Sequence, residues 1–423
     1  MPAIIILTVT EGNLKGQEFS FDSRTTCVIG RAKDCNIQIP SDKYHSTISR
    51  YHCLLDINPP DIRIRDFGSL NGTDVNGKCI GKRGDKQTPE EAAKHSFSEY
   101  DLQDGDVIRL DNTVFQVSIK KILEVASTWE IPQIDNLPPQ LEFNLDSNLV
   151  SIADYTTIQK LGMGGCGEVY LARNDTTGEL VAIKSLLPQV AVKPYMKEMF
   201  LREVENTKML DHPNLVQLKD YCFSGGAFFF TMEYCDRGSV IDLINKRGSK
   251  LSIKEAIEII LQVLDGLHYA HTEKNLVHRD IKPGNIFLKV TDGKLVAKLG
   301  DYGLAKAFDL AGLSGQTMTG TKMGTPSFMS RKQALDFKYA KPDVDVWAVA
   351  ATLYCMLTLE CPRNFEGIEP MLAILNSQPI PIRERDPSIP QYLAELIDQA
   401  LRDNCELYFK SALDFKKALL QVV

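Results

Sequence analysis

The sequence lacks the marks of several protein classes. Its ten cysteines include no CxxC pair and no repeated spacing. They read as reduced thiols of a cytosolic protein, not as a disulfide frame or a zinc site. There is no basic excess: 48 Lys and Arg stand against 55 Asp and Glu, for a net charge of −7. That argues against a nucleic-acid or membrane-surface partner. There is no long apolar run either. The longest uncharged stretch, Val346 to Leu359, is fourteen residues, too short to span a bilayer and suited to a buried helix. The opening MPAIIILTVTEGN has neither a basic n-region nor a cleavage motif, so it reads as a strand rather than a signal peptide. The expected location is cytoplasmic, with no membrane span.

What is present is ordinary globular material: 423 residues, 43% hydrophobic and 24% charged. At about 150 residues per domain this suggests two or three domains. Residues 1–120 read as all-β. Apolar runs at Ile4–Val9, Cys27–Ile29, Cys53–Ile57, Val107–Leu110 and Thr113–Val117 are separated by turn signals such as Asn58-Pro59-Pro60, Asn71-Gly72 and Asp104-Gly105, the pattern of a β-sandwich. Gly81 to Asp101 reads as a long polar loop with one short helix. Residues 121–153, with Pro132, Pro138 and Pro139, read as a linker. From Asp154 the grammar changes. Strand-like Tyr155–Leu161, Glu168–Arg173 and Leu180–Leu186 precede a helical stretch over Pro194–Leu210. Then Ile253, Ile257, Ile260, Leu264 and Leu267 mark one face of a helix. A small β-rich lobe followed by a helical lobe is an α+β plan.

Gly162, Gly164 and Gly167 lie between two strand-like runs. Glycines there let backbone N–H groups approach phosphate oxygens. A strand rather than a helix follows, which disfavours a dinucleotide site. Lys184, in Val181-Ala182-Ile183-Lys184, can hold phosphates if a counter-ion fixes it, and Glu203 is the natural partner. Taken alone, the two read equally as a surface lysine and a solvated glutamate. His268 and His271 sit three apart, but no Cys, Asp or Glu signature completes a metal site, so they read as packing or surface residues. The strongest segment is His278-Arg279-Asp280-Ile281-Lys282-Pro283-Gly284-Asn285, followed sixteen residues later by Asp301-Tyr302-Gly303. Asp280 can accept the proton of an attacking hydroxyl and Lys282 can neutralise a phosphoryl group. Asn285 and Asp301 can hold a divalent metal. Phosphoryl transfer needs such parts because it is mostly positioning and charge neutralisation.

In order and spacing these motifs resemble the eukaryotic-type serine/threonine protein kinases over 154–423. The resemblance implies a bilobal kinase fold, ATP with Mg²⁺ or Mn²⁺, and protein substrates phosphorylated on serine or threonine. Lys184 would bind phosphates and Glu203 would orient it. Asp280 would be the base, with Lys282 beside it, and Asn285 and Asp301 the metal ligands. Leu161, Gly162, Gly164, Gly167, Val169, Ala182 and Phe287 would enclose the nucleotide. Met232 would be the gatekeeper, with Glu233 to Cys235 as the hinge. Arg279 would meet a phosphate on the loop 304–324, where Thr317, Thr319 and Thr321 are the candidate phosphosites. A pseudokinase scaffold and a small-molecule kinase are the alternatives. The family's Ala-Pro-Glu is missing, and Lys332 stands for its glutamate. Leu407 or Tyr408 stands for the arginine that this glutamate pairs with, so both ion-pair partners are expected to be absent.

Gly30-Arg31, Ser49-Arg50-Tyr51-His52, Asn71-Gly72-Thr73 and Asn76-Gly77 resemble, as an ordered set over 1–120, a forkhead-associated domain, a reader of phosphothreonine peptides. The resemblance implies phosphate contacts from Arg31, Ser49 and Arg50, a peptide-backbone contact from Asn71, and a buttressing role for His52.

Overall fold

The computed structural model describes residues 3–23, 25–40, 45, 47–84, 86–92, 94, 97–121, 154–164, 167–186, 204–205, 207–224, 227–302, 325–336, 340–403 and 406–422. The linker, Glu203, most of the helical stretch Pro194–Leu210 and the loop bearing Thr317, Thr319 and Thr321 lie outside them.

The N-terminal part contains β1 (Ala3–Glu11), β2 (Glu18–Phe21), β3 (Thr25–Gly30), β4 (Ile37–Gln38), β5 (Cys53–Asn58), β6 (Asp61–Asp66), β7 (Thr73–Val75), β8 (Lys78–Gly81), the short helix α1 (Pro89–Ala92), β9 (Tyr100–Leu102), β10 (Val107–Leu110) and β11 (Thr113–Lys121). They form two sheets, ordered β2-β1-β11-β10-β7-β8 and β4-β3-β5-β6-β9. Alternate residues of β1 point inward: Ala3, Ile5, Leu7 and Val9 are buried. They join Phe115 and Val117 from the same sheet, and Ile29, Ile57 and Ile64 from the other, in one core. This is the sandwich expected from short apolar runs separated by turn signals, with the inward residues alternating along the strand. The segment Gly81–Asp101 is not all loop: its end forms β9, which pairs Asp101 with Arg63 and closes the edge of the second sheet.

The C-terminal part begins with a five-stranded antiparallel sheet, β12 (Tyr155–Gly164), β13 (Gly167–Asn174), β14 (Leu180–Leu186), β15 (Leu218–Ser224) and β16 (Ala227–Glu233), in the order β12-β13-β14-β16-β15. Helices follow: α2 (Val240–Arg247) and α3 (Ile253–Glu273). Next come the hairpin β17 (Ile286–Thr291) and β18 (Lys294–Leu299), then α4 (Arg331–Leu335), α5 (Pro342–Thr358), α6 (Pro370–Asn376), α7 (Ile382–Arg385), α8 (Gln391–Ala400) and α9 (Ala412–Gln421). Ser252 starts α3 through a capping box with Glu255, satisfying two N-terminal donors at once. Ile257, Ile260, Leu264 and Leu267 share a core with α5, whose uncharged run is buried from Val346 to Leu357. Among the described residues no helix is long and apolar enough to cross a membrane.

A separate apolar cluster joins the two parts. Val28, Tyr51, Leu54 and Phe67 of the sandwich pack on Met329, Ala334, Met371 and Leu372 of the helical lobe. Polar contacts frame it. Thr26 Oγ1 donates to Ala334 O at 2.9 Å, and Asn36 Nδ2 to Leu335 O at 2.7 Å. Arg65 pairs with Glu369 at 3.0 Å, with side chains only 14% and 7% exposed. The sandwich therefore rests on the C-terminal lobe through α4 and α6.

Candidate active site

The segment from His278 to Asn285 connects α3 to β17 and is held from below by one carboxylate. Asp345, fully buried in the first turn of α5, accepts from His278 N at 2.7 Å, from Arg279 N at 2.7 Å and from His271 Nε2 at 2.8 Å. Burial alone would raise its pKa. The His271 hydrogen bond, the electrostatic pull of His271 and His278 and the backbone bond from His278 outweigh it, and the carboxyl is held below its ordinary value. Arg279 has φ 68°, a conformation that costs a non-glycine residue about 1–3 kcal/mol and survives only where neighbours impose it. Here Asp345 holds its N–H, and Gln333 Nε2 donates to its carbonyl at 2.7 Å. His271 thus binds a buried carboxylate, in keeping with a packing role.

Three side chains converge above this floor. Lys282 Nζ lies 2.8 Å from Asp280 Oδ2, and Asn285 Nδ2 donates to Asp280 O at 2.7 Å and to Oδ2 at 3.0 Å. Asp301 follows β18 with φ 57°. Lys184 Nζ from β14 lies 2.9 Å from each of its oxygens. Burial works against the charge of Asp301, but Lys184, then Lys282 and His278, outweigh it and hold the carboxyl below its ordinary value. An ionised carboxylate and an amide oxygen are hard donors that suit Mg²⁺ or Mn²⁺. His278 links the two halves: Nε2 lies 2.8 Å from Gly300 O and its ring meets Tyr302 edge-on at 4.7 Å. The Tyr302 hydroxyl donates to Leu276 O at 3.1 Å, so tyrosine adds a contact that phenylalanine would not.

Sheet register places the nucleotide candidates. Val169 pairs with both Gly162 and Lys184. Ala182 pairs with Met232, and Val181 with Glu233. A Cβ at Gly162 would meet nothing within 4 Å, and Leu161 is 42% exposed, an open strand end at the mouth of the cleft. Phe287 of β17 bridges to Ser239, and Cys235 is buried. Glu233 is pinned by Lys289 at 2.8 Å and Lys298 at 3.0 Å. Those contacts tie the end of β16 to the β17–β18 hairpin.

In the N-terminal part, Arg31, Ser49 and Arg50 line one cavity of about 570 Å³, while Asn71, exposed, stands outside its lining. Gly30 is required there: a Cβ would lie 2.2 Å from Arg50 O. Leu70 N donates to Ser49 Oγ at 3.0 Å, joining two loops, and Arg31 Nε donates to Ile48 O. His52, fully buried, meets Ser49 N at 3.2 Å and Gly72 O at 3.0 Å. Sequence reading missed Asp66. Its buried carboxylate accepts from Gly68 N at 2.7 Å, Ser69 N at 2.8 Å, Ser69 Oγ at 2.6 Å and Thr73 Oγ1 at 2.6 Å, and so shapes the turn carrying Asn71. An aspartate two residues before Gly68 was the available signal.

Residues 155–408 match the family model described as the protein kinase domain. The chain belongs to the protein kinase family. Residues 27–111 of this kinase match the model described as the FHA domain. Over 218 residues the chain is 32% identical to serine/threonine protein kinase OSK3 of Oryza sativa, covering 52% of this chain and 41% of that one. It is 31% identical to serine/threonine-protein kinase PknB of Mycobacterium leprae (62% and 42%) and 31% identical to PknA of Mycobacterium tuberculosis (64% and 62%). The chain thus spans less than two thirds of each relative's length. The crystal structure of the Mycobacterium tuberculosis PknI kinase domain shares the fold, with a TM-score of 0.51 at 24% identity, covering 65% of this chain and 98% of that one. Membership implies use of ATP with a divalent metal.

Neither Lys332 nor the Leu407–Tyr408 position forms the family's usual pair: Lys332 binds Asp343 at 2.5 Å, Leu407 is buried and Tyr408 is 48% exposed. An ion pair nevertheless bridges this region. Arg363 meets Asp403, and both side chains are wholly buried. Asp403 also accepts from Arg331 N at 2.9 Å, Arg363 donates to Met329 O at 3.1 Å, and its guanidinium lies 4.9 Å from the Trp347 ring centroid. The segment after residues 304–324 is therefore anchored by a pair whose members lie elsewhere in the sequence, so comparing the usual positions did not reveal it.

Proposed function

We propose that this kinase transfers the γ-phosphoryl group of ATP to serine and threonine hydroxyls of proteins, and that its FHA domain reads phosphothreonine peptides. In this reading residues 1–120 form the reader, 121–153 a linker and 154–423 the catalytic domain. The observation that carries it is the convergence of Lys282 Nζ and Asn285 Nδ2 on Asp280 Oδ2, at 2.8 and 3.0 Å. Asp280 accepts the proton of the attacking hydroxyl. Lys282, on the same carboxylate, offsets charge on the group in transfer. Lys184 holds phosphate oxygens, with Glu203 as its orienting partner. Asn285 and Asp301 hold Mg²⁺ or Mn²⁺, which supplies charge neutralisation at the phosphates when bound. Leu161, Gly162, Gly164, Gly167, Val169, Ala182, Met232, Cys235, Phe287 and the backbone at Glu233 enclose the nucleotide.

Arg31, Ser49, Arg50 and Asn71 are the proposed phosphopeptide contacts, and Thr317, Thr319 and Thr321 the proposed regulatory phosphosites. A net charge of −7 supports protein rather than nucleic-acid partners. The test is incubation with γ-labelled ATP, either cation and a generic basic protein, followed by phosphoamino-acid analysis. Wild type is expected to label serine and threonine and Lys184→Met to label neither. Equal labelling by the two would overturn the assignment.

A further inference from the structure

The cavity that holds Arg31, Ser49 and Arg50 has a second wall, and that wall belongs to the kinase. Its lining includes Leu372, Ala373 and Asn376 of α6. The two walls are held in register by the Arg65–Glu369 pair at 3.0 Å and by Tyr51, whose hydroxyl donates to Leu375 O at 3.3 Å from within the apolar cluster. The chemistry of the walls differs. The reader side contributes Arg31, Arg50, Arg83 and Lys94, and no carboxylate lines the cavity among the described residues. The kinase side contributes apolar Leu372 and Ala373 and the exposed amide of Asn376.

We propose that the phosphopeptide site is composite: the reader's cationic loops take the phosphate, and helix α6 of the kinase takes the residues flanking it. The proposal rests on the reading of Arg31, Ser49 and Arg50 as phosphate contacts. The occupant is a phosphorylated segment of another polypeptide. A dianionic phosphate fits a wall carrying four cations, and aliphatic side chains beside it fit Leu372. Peptide selectivity is then written partly in the kinase lobe. A bound peptide touches both domains and stabilises their docking, because a ligand that binds one arrangement favours it by mass action.

The test uses the full chain and fluorescein-labelled phosphothreonine peptides, each carrying leucine at one position near the phosphothreonine, read by anisotropy. Asn376 is exposed and distant in sequence from the catalytic segment, so its variants are expected to fold. Asn376→Glu, which aims a carboxylate at the cationic wall, is expected to weaken binding by about three- to ten-fold. Asn376→Lys is expected to leave it unchanged or tighter, and Leu372→Ala to flatten the preference among leucine positions. Arg50→Ala is the control for the reader site. If Arg50→Ala weakens binding while Asn376→Glu, Asn376→Lys and Leu372→Ala all match wild type, the composite site is overturned and the reader site stands. If Arg50→Ala binds as wild type does, the reader assignment itself fails.

Discussion

Lys184 Nζ lies 2.9 Å from both carboxylate oxygens of Asp301. One residue comes from the third strand of the small lobe and the other from the turn after β18, so the contact closes the cleft between the lobes. It joins the cation and the anion that a phosphate with its metal would both need. On the role proposed for Lys184, replacing it with Met removes a charge that would meet the developing phosphoryl group, an effect worth about 10²–10³ in rate for a preorganised donor. Phosphate transfer by Lys184→Met is therefore expected to fall at least about 100-fold, with an unchanged circular dichroism spectrum. Retained transfer would count against Lys184.

Asp345 carries the floor of the catalytic segment. Asp345→Asn keeps the shape but removes the charge that accepts three hydrogen bonds, and is expected to cost about 2–3 kcal/mol along with most of the transfer activity. The pH dependence has a definite sign. The folded carboxyl lies below its ordinary value, so its contribution is complete above the unfolded value of about 3.9 and is lost as pH falls through the lower folded value. Urea unfolding of wild type and variant should show a gap that narrows as pH falls below about 4. A gap that widens on acidification would contradict this.

Arg363 and Asp403 form a wholly buried pair. Arg363→Ala leaves a buried carboxylate without its partner and is expected to cost about 3–5 kcal/mol. The double variant Arg363→Met with Asp403→Leu should recover much of that loss in thermal unfolding, because neither charge is then stranded. If the single and double variants lose the same stability, the pair is not the anchor.

Arg65 and Glu369 join the domains. Burial pushes the Glu369 carboxyl up, with Arg65 opposing, so the cation is what makes an ionised carboxylate tolerable there. Arg65→Ala is expected to loosen docking, read as a larger radius of gyration in X-ray scattering, while Glu369→Gln changes it less. The reverse order would refute this account of the interface.

Much of the fold was legible in the sequence, for physical reasons. β1 is a short apolar run bounded by a turn signal, and the glycine, lysine and aspartate motifs sit on consecutive strands and turns whose spacing constrains them. β6 was not legible. In Asp61-Ile62-Arg63-Ile64-Arg65-Asp66 the charges hide two buried isoleucines, and one of those charges, Arg65, faces the other domain instead of water. Asp345 stands directly before the uncharged run Val346 to Leu359, but its role depends on a backbone segment 66 residues away. The docking of Thr26 on Ala334, 308 residues apart, leaves no periodic trace, since each surface alone reads as ordinary sheet or helix.

Asp280 is the residue on which the catalytic account depends. Asp280→Asn keeps the size of the side chain and removes its basicity. Incorporation of labelled phosphate from ATP into protein serine and threonine, measured for wild type and this variant with Mg²⁺ or Mn²⁺, is expected to be clear in the first and to fall by about 10²–10⁴ in the second. Equal incorporation by both proteins would contradict the role of Asp280 as the proton acceptor.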